Sequence, residues 1–151
     1  MPSLLTLPDT EDIVDFIASN YSNPRKIVEI GVGSVPSVAI SLKKRLASTT
    51  VIVVDVDETR VREIGREHPE LVAIKDDVFR PVYAIYHGAS LIYAIRPPPE
   101  LIPAISNLSI AVNTDALVRP LSSEEAGFNF SSKWKFVRHS RATLYWLKVS
   151  Q

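Results

Sequence analysis

Five short apolar runs, each preceded or followed by a segment with helical spacing, constrain the fold of this 151-residue chain more than any other feature. The runs are continuous in their apolar character, which is typical of strands that are buried on both faces. Strands that alternate with helices indicate βαβ units, a parallel sheet and helices on both sides of that sheet. The sequence therefore predicts a three-layer α/β domain with a mostly parallel sheet.

The bounds of the predicted elements follow from the same patterns. Strands are expected at Lys26–Ile30, Val51–Val54, Leu71–Ile74, Leu91–Ile95 and Ala116–Val118. Helices are expected at Asp9–Asn20, Pro36–Leu46 and Glu58–Glu67, with a short helical or irregular segment at Pro81–Tyr86 and a further helix that the prolines Pro97 to Pro99 start.

The last part of the chain has the alternation of a β-hairpin. Its two arms are Lys133–His139 and Thr143–Val149, joined by a three-residue turn that lacks Gly and Asn. Basic side chains interleave with aromatic ones along both arms, a pattern that can bind single-stranded RNA. The same pattern also fits a hairpin with aromatic side chains in the core and a solvated basic face, and the sequence leaves both interpretations open.

Composition excludes several kinds of site and partner. The 17 Lys and Arg residues balance 17 Asp and Glu residues, so no overall field attracts nucleic acid or anionic membrane. The chain has no cysteine, which excludes disulfides and thiolate metal sites, and its three histidines lack metal-ligand spacing, so no metal is predicted. Without an apolar run of membrane length or a signal peptide, residues 1–151 are expected to form one cytoplasmic domain.

Glycines and carboxylates collect where the predicted strands end. Glu29, Gly31 and Gly33 end the first strand, Asp55 ends the second, and Asp77 follows the third. Open α/β sheets bind ligands in the crevice outside the carboxyl ends of their strands. The order of these glycines and carboxylates along the chain predicts a nucleoside site. The same residues would have a purely structural role if the glycines only formed a tight turn and the aspartates only capped helices.

Two residues argue against a dinucleotide in that crevice. Pro36, at the start of the second helix, lacks the backbone N–H that a pyrophosphate would use. Glu29 would lie beside the pyrophosphate, and the two negative charges would repel each other. S-adenosylmethionine carries no phosphate, and its ammonium and sulfonium groups favour a nearby carboxylate. Asp55 is placed to accept hydrogen bonds from ribose hydroxyls, whereas Asp57 is placed to cap the helix that begins at Glu58.

The chain resembles the class I S-adenosylmethionine-dependent methyltransferases, which have a Rossmann-like fold. Val28–Gly33, Val53–Asp57 and Lys75–Phe79 resemble their first three motifs, and residues 88–101 are similar to a small archaeal family, uncharacterised protein family 0146. The resemblance implies that Glu29 approaches the methionine ammonium, that Gly31 and Gly33 lie against the ligand, that Asp55 holds the ribose and that Asp77 reaches the adenine amine. Two departures are Val35 in place of the third motif glycine and Ile95–Pro98 in place of the Asn/Asp-Pro-Pro-Tyr/Phe signature of amine methylation.

Three functions are compatible with these residues. The first is a small methyltransferase or S-adenosylmethionine-binding protein whose acceptor is RNA or a small molecule, and the second is a catalytically inactive methyltransferase-like binding or interaction module. The third, an NAD-dependent oxidoreductase, is disfavoured by Glu29 and Pro36. Arg96 follows the fourth strand and is the candidate contact to the substrate, unless it pairs with Glu100 or Asp77.

The aromatic residues near the C-terminus predict a homodimer. Six of the twelve aromatic residues lie between Phe128 and Trp146, too many for a short terminal hairpin to hide alone. The connection Ser122–Ser132 is a poor helix former, so part of the sheet would stay bare, and a bare apolar patch is usually covered by a partner. The alternative is that Phe128 and Phe130 fold back over the hairpin.

Overall fold

The structure, a computed structural model, describes residues 8–33, 35–121 and 130–149. In these ranges the helices are α1 (Thr10–Asn20), α2 (Ser37–Arg45), α3 (Glu58–Glu67), α4 (Tyr83–Tyr86) and α5 (Leu101–Val112). The strands are β1 (Lys26–Ile30), β2 (Thr50–Asp55), β3 (Val72–Lys75), β4 (Leu91–Ile95), β5 (Asp115–Arg119), β6 (Lys135–His139) and β7 (Ala142–Leu147).

The strands form one sheet in the order β3-β2-β1-β4-β5-β7-β6. The first five strands are parallel, and β7 and β6 add an antiparallel hairpin next to β5. Apolar side chains of α1, α2 and α3 pack on one face of the sheet, and those of α4 and α5 pack on the other. The chain leaves β1 and β4 toward opposite edges of the sheet, so a crevice opens between the carboxyl ends of these two neighbours.

This architecture confirms the predicted three-layer α/β fold with a mostly parallel sheet and a C-terminal hairpin. The predicted bounds of β1, β4 and α3 are those of the structure. The bounds of the other predicted elements up to β5 differ by one or two residues, except for the start of the fifth helix. None of the described helices is long and apolar enough to cross a membrane.

The predicted start of the fifth helix is wrong. Pro97 to Pro99 form a turn before α5, in which Leu101 N–H bonds to the Pro98 carbonyl at 3.0 Å, and the helix begins at Leu101. A residue that precedes proline is held away from helical backbone angles, so consecutive prolines delay the helix. The proline that does occupy the first turn is Pro103, where no intrahelical donor is lost.

The hairpin packs its aromatic side chains against both faces of the fold. Trp146 contacts Phe16 of α1 edge to face, with ring centroids 5.1 Å apart. On the other face Phe130 stacks on Tyr145 at 3.9 Å and contacts Trp134, which is buried. The turn between the arms consists of two residues, and its first, Ser140, adopts the left-handed conformation (φ 55°) that lets the chain reverse without glycine.

These contacts bear on the expected homodimer. Phe130 folds back over the hairpin, as the alternative interpretation expected, while Phe128 and most of the Ser122–Ser132 connection lie outside the described residues. Phe136 keeps 54% of its surface exposed. The dimer stays a prediction, and light scattering that finds a single species of 16.8 kDa at high protein concentration would contradict it.

Candidate functional site

A glycine loop connects β1 to α2 and forms the floor of the crevice. Gly31 and Gly33 have φ angles of 67° and 71°, a left-handed conformation that side chains disfavour and glycine adopts freely. The N–H groups of Gly31 and Val32 both donate to the Val54 carbonyl, at 2.9 and 3.1 Å. These two hydrogen bonds connect the loop to β2. Apart from the adjacent residues of the chain, no described atom lies within 4 Å of the place that a Cβ would take on either glycine, so the loop presents open backbone.

A cleft of about 340 Å³ opens above this loop, at the small end of the range of ligand sites in proteins, roughly 300–1,000 Å³. Two of its lining side chains are ionisable, the carboxyl group of Glu29 and the guanidinium of Arg96. Apart from Gly31, Gly33 and backbone, the remaining lining residues are small, hydroxylated or apolar: Thr10, Val32, Val35, Ser37, Val38, Ile95 and Leu121.

Glu29 is the acid at the base of the cleft, and 3% of its surface is exposed. It stands opposite Tyr93 in the parallel register of β1 and β4, and the Tyr93 hydroxyl donates to Glu29 Oε1 at 2.8 Å. Burial raises the pKa of Glu29 to about 8; the hydrogen bond from Tyr93 opposes this rise and the charge of Asp55 adds to it. A cation bound in the cleft would lower this pKa again, because it would favour the ionised carboxylate.

Tyr93, on β4, is fully buried. Its hydrogen bond to Glu29 is a contact that the pattern analysis missed. No local pattern signals this contact, because it depends on the parallel pairing of β1 with β4 and on the register that sets Glu29 opposite Tyr93. Thr10 and Ser37, at the first positions of α1 and α2, were also missed as lining residues.

Arg96 lies where β4 ends, with its side chain exposed at the cleft. Its φ angle is 52°, and its N–H donates to the Arg119 carbonyl at 2.6 Å. A left-handed conformation at a residue other than glycine costs about 1–2 kcal/mol and is concentrated at functional sites. Among the described residues no carboxylate pairs with Arg96, so the structure shows no ion pair to Glu100 or Asp77.

Asp55 lies at the end of β2 with its carboxylate largely buried. Its Oδ2 accepts the Gly33 N–H at 3.1 Å, and its Oδ1 accepts the Asp57 N–H at 2.9 Å. These bonds hold the carboxylate against the glycine loop, and lone pairs remain on both oxygens. Asp57 caps α3 as predicted, since its side chain accepts the Arg60 N–H at 3.2 Å.

The two aspartates after β3 point in different directions. Asp76 is buried and accepts the Tyr86 hydroxyl and the Val82 N–H. Asp77 is half-buried and accepts the Phe79 N–H at 2.9 Å. The structure therefore brings Glu29, Gly31, Gly33 and Arg96 together around one cleft, whereas Asp55 and Asp77 lie outside its lining, at the ends of β2 and β3.

The basic residues of the hairpin fall into two groups. Arg141 pairs with Asp12 at 3.1 Å and Lys148 pairs with Asp115 at 3.3 Å, so these two charges serve contacts within the fold. In the described part of the chain, Lys133, Lys135 and Arg138 have no carboxylate partner. No group of three or more potential metal ligands occurs among the described residues.

The family model that matches this chain, over residues 10–148, is described as "Uncharacterised protein family (UPF0146)". A UPF0146 protein of Archaeoglobus fulgidus is 44% identical over 109 residues, which cover 72% of this chain and 76% of the relative. A UPF0146 protein of Methanocaldococcus jannaschii is 39% identical over 117 residues, which cover 74% and 80%.

Solved structures show the same fold at low sequence identity. An RNA methyltransferase from Salinibacter ruber in complex with S-adenosyl-L-homocysteine has a TM-score of 0.67 at 11% identity, and the match covers 96% of this chain and 95% of that one. Because so few residues are shared, this likeness establishes a class I methyltransferase-like Rossmann fold and leaves ligand and reaction to be argued from the site.

Proposed function

This chain belongs to the uncharacterised protein family UPF0146, and from that premise and the geometry of its cleft we propose that it binds S-adenosylmethionine and transfers its methyl group to an acceptor. One observation carries the proposal: a buried carboxylate, Glu29, lies beside two left-handed glycines at the switch point of the sheet. The described residues supply no cation to Glu29, so the site favours a ligand that brings a positive charge.

The chain's own groups divide the binding of such a ligand between them. Glu29 accepts the ammonium group, and the backbone of Gly31 and Gly33 allows close approach. Asp55 keeps free lone pairs for the ribose hydroxyls, and Asp77 lies at the next strand end for the adenine amine. This assignment follows the order of the strands β1, β2 and β3 in the sheet.

Methyl transfer requires the protein mainly to position the methyl donor and the acceptor. Bound S-adenosylmethionine supplies an activated sulfonium methyl group, which an acceptor lone pair attacks in line as the carbon–sulfur bond breaks toward sulfur. Holding the two reactants in that geometry supplies most of the rate acceleration in such a displacement. Around Ile95 and Ser37 the described lining of the cleft consists of hydroxyl and apolar groups, none of which is a strong base.

Titration calorimetry tests the proposal. We expect S-adenosylmethionine and S-adenosylhomocysteine to bind in the micromolar range and NAD to bind at least about a hundredfold more weakly, a difference of roughly 2.7 kcal/mol. A ligand at about one hundred times its dissociation constant should also stabilise the fold by about 2.7 kcal/mol. No heat and no thermal shift with either sulfur ligand at millimolar concentration would refute the proposal.

A pair of glycine variants separates site from fold. Gly33→Ala places a side chain on a backbone with φ 71°, so we expect it to weaken S-adenosylhomocysteine binding at least about tenfold. Gly65→Ala is the control, because Gly65 lies within α3 and a Cβ there would meet Ala73 at an ordinary 3.7 Å. Equal binding by the two variants, with apo melting temperatures that match, would remove the glycine loop from the site.

RNA is the acceptor class that one surface feature favours. Lys133, Lys135 and Arg138 are exposed and without carboxylate partners in the described residues, and Phe136 is exposed among them. Exposed aromatic and basic side chains together bind single-stranded nucleic acid with strong salt dependence. Fluorescence anisotropy with a short single-stranded RNA at two salt concentrations tests this, and a Phe136→Ala variant that binds as well as the wild type would point to a small-molecule acceptor.

A further inference from the structure

Two ionisable side chains of opposite type, an acid and a base, line the cleft, and no ion pair joins them among the described residues. Glu29 lies buried at its base and Arg96 lies exposed at its side, and no ion pair closes between them. Neither is neutralised elsewhere, because the described residues give Glu29 only the Tyr93 hydroxyl and give Arg96 no carboxylate. A carboxylate and a guanidinium held apart in one cleft leave room for a ligand that carries both complementary charges.

The remaining lining narrows the ligand further. Thr10 and Ser37 offer hydroxyl groups, and Val35, Val38 and Ile95 offer apolar surface. The cleft thus presents one negative group, one positive group and an apolar wall. An α-amino acid with an aliphatic chain has this pattern, since its ammonium and carboxylate groups share one carbon atom.

A neighbouring arginine shows that the free charge of Arg96 is particular to this position. Arg119 ends the adjacent strand β5, and it is neutralised by Asp9 at 3.0 Å and donates to the Pro120 carbonyl at 2.8 Å. The hydrogen bond from Arg96 N–H to the Arg119 carbonyl joins these two strand ends. The backbone of Arg96 is left-handed at this point, and no described carboxylate pairs with its guanidinium.

We propose that Arg96 binds the α-carboxylate of the amino-acid portion of S-adenosylmethionine, next to the ammonium group that the proposed function gives to Glu29, so that this cleft selects a ligand with a complete amino acid over the nucleoside alone. The inference rests on the proposed function. It assigns Arg96 to the cofactor, where the sequence suggested a contact to the acceptor. A guanidinium binds a carboxylate through two parallel hydrogen bonds, which gives this contact direction as well as charge.

Calorimetry with two probes tests the assignment. S-adenosylhomocysteine carries the amino acid and 5′-methylthioadenosine lacks it, while both carry the adenosine. We expect the wild type to bind the first at least about tenfold more tightly, and Arg96→Gln to lose about tenfold for S-adenosylhomocysteine and less than about twofold for 5′-methylthioadenosine. Arg96→Lys should recover part of the loss, because it keeps the charge but lacks the fork.

Arg62→Gln is the matched control, since Arg62 is an exposed arginine on α3 whose one ion pair among the described residues is with Glu58, at 3.5 Å. It should change neither affinity. An Arg96→Gln variant that keeps full affinity for S-adenosylhomocysteine, or that weakens both ligands equally, would overturn the assignment while leaving the proposed function in place. A wild-type protein that binds neither probe would overturn the proposed function together with the assignment.

Discussion

Two of the buried carboxylates in the central sheet, Glu29 and Asp115, have opposite surroundings. Asp115 begins β5 and is fully buried, yet it accepts the Tyr21 hydroxyl at 2.7 Å and the Val149 N–H at 2.8 Å and pairs with Lys148 at 3.3 Å. Glu29, near the other end of the parallel strands, has the Tyr93 hydroxyl as its one donor among the described residues. Asp115 is therefore compensated by the fold, and Glu29 is left to be compensated by something that binds.

The difference separates a structural charge from a functional one. An ionised carboxylate in a low-dielectric interior is costly unless hydrogen bonds and a counter-charge replace water. Asp115 has both, and it ties together α1, β5 and the end of the hairpin. Glu29 has no counter-charge among the described residues, and burial raises its pKa. Ionising Glu29 is therefore unfavourable in the free protein, and a cationic ligand in the cleft would make it favourable.

The largest expected effect is at the compensated carboxylate. Asp115→Ala would leave the Tyr21 hydroxyl, the Val149 N–H and the Lys148 ammonium without their partner, so we expect the free energy of unfolding to fall by about 5 kcal/mol. Urea denaturation measures this loss. Asp115→Asn keeps an acceptor oxygen and should lose roughly half as much; a loss below about 1 kcal/mol for the alanine variant would contradict the structural role.

The next effect has the opposite sign and depends on pH. The pKa of Glu29 rises from its ordinary value of 4.5 to about 8 on folding, so the stability present below pH 4.5 is lost as pH rises to about 8, by about 1.4 kcal/mol per pH unit. Glu29→Gln has no proton to lose and should match the wild type near pH 5 and exceed its stability by about 4 kcal/mol near pH 9. Parallel stability curves for the two proteins between these pH values would show that Glu29 is ionised in the folded state throughout.

Ligand binding should release the proton that Glu29 holds. At pH 7 the free protein carries Glu29 mostly protonated, and an ammonium group in the cleft favours its ionised form. We therefore expect nearly one proton released for each S-adenosylhomocysteine bound at pH 7, and close to none when Glu29→Gln is titrated. Calorimetry in buffers of different ionisation enthalpy counts these protons, and equal counts for wild type and variant would place the ammonium elsewhere.

The smallest effects distinguish two aspartates at neighbouring positions. Asp57 caps α3, so Asp57→Ala should cost about 1 kcal/mol of stability and leave the affinity for S-adenosylhomocysteine nearly unchanged. Asp55→Ala removes the acceptor that holds Gly33 N–H and the expected ribose contact, so it should weaken binding more than Asp57→Ala does. Thermal melts and titrations of both variants decide this, and equal affinity losses would contradict it.

Much of this molecule can be read from local sequence patterns. The bounds of β1 and β4 follow from apolar runs because strands buried on both faces need apolar residues at every position. The order of Glu29, the two glycines, Asp55 and Asp77 also predicts that these residues collect at one edge of the sheet, since the carboxyl ends of parallel strands share an edge. Asp57 as a cap is equally local, because it depends on the residues of one turn.

Local patterns were enough to predict the three-layer fold and the strand ends that carry the candidate site. They did not give the contacts between distant residues. Tyr93 bonds Glu29 across 64 positions of the chain, Asp9 pairs with Arg119 while no described carboxylate pairs with Arg96, and Asp115 accepts hydrogen bonds from Tyr21 and Val149. The reason is physical: apolar periodicity reports how one segment meets the core, whereas the state of a buried charge depends on which distant donors the packing brings within hydrogen-bond distance.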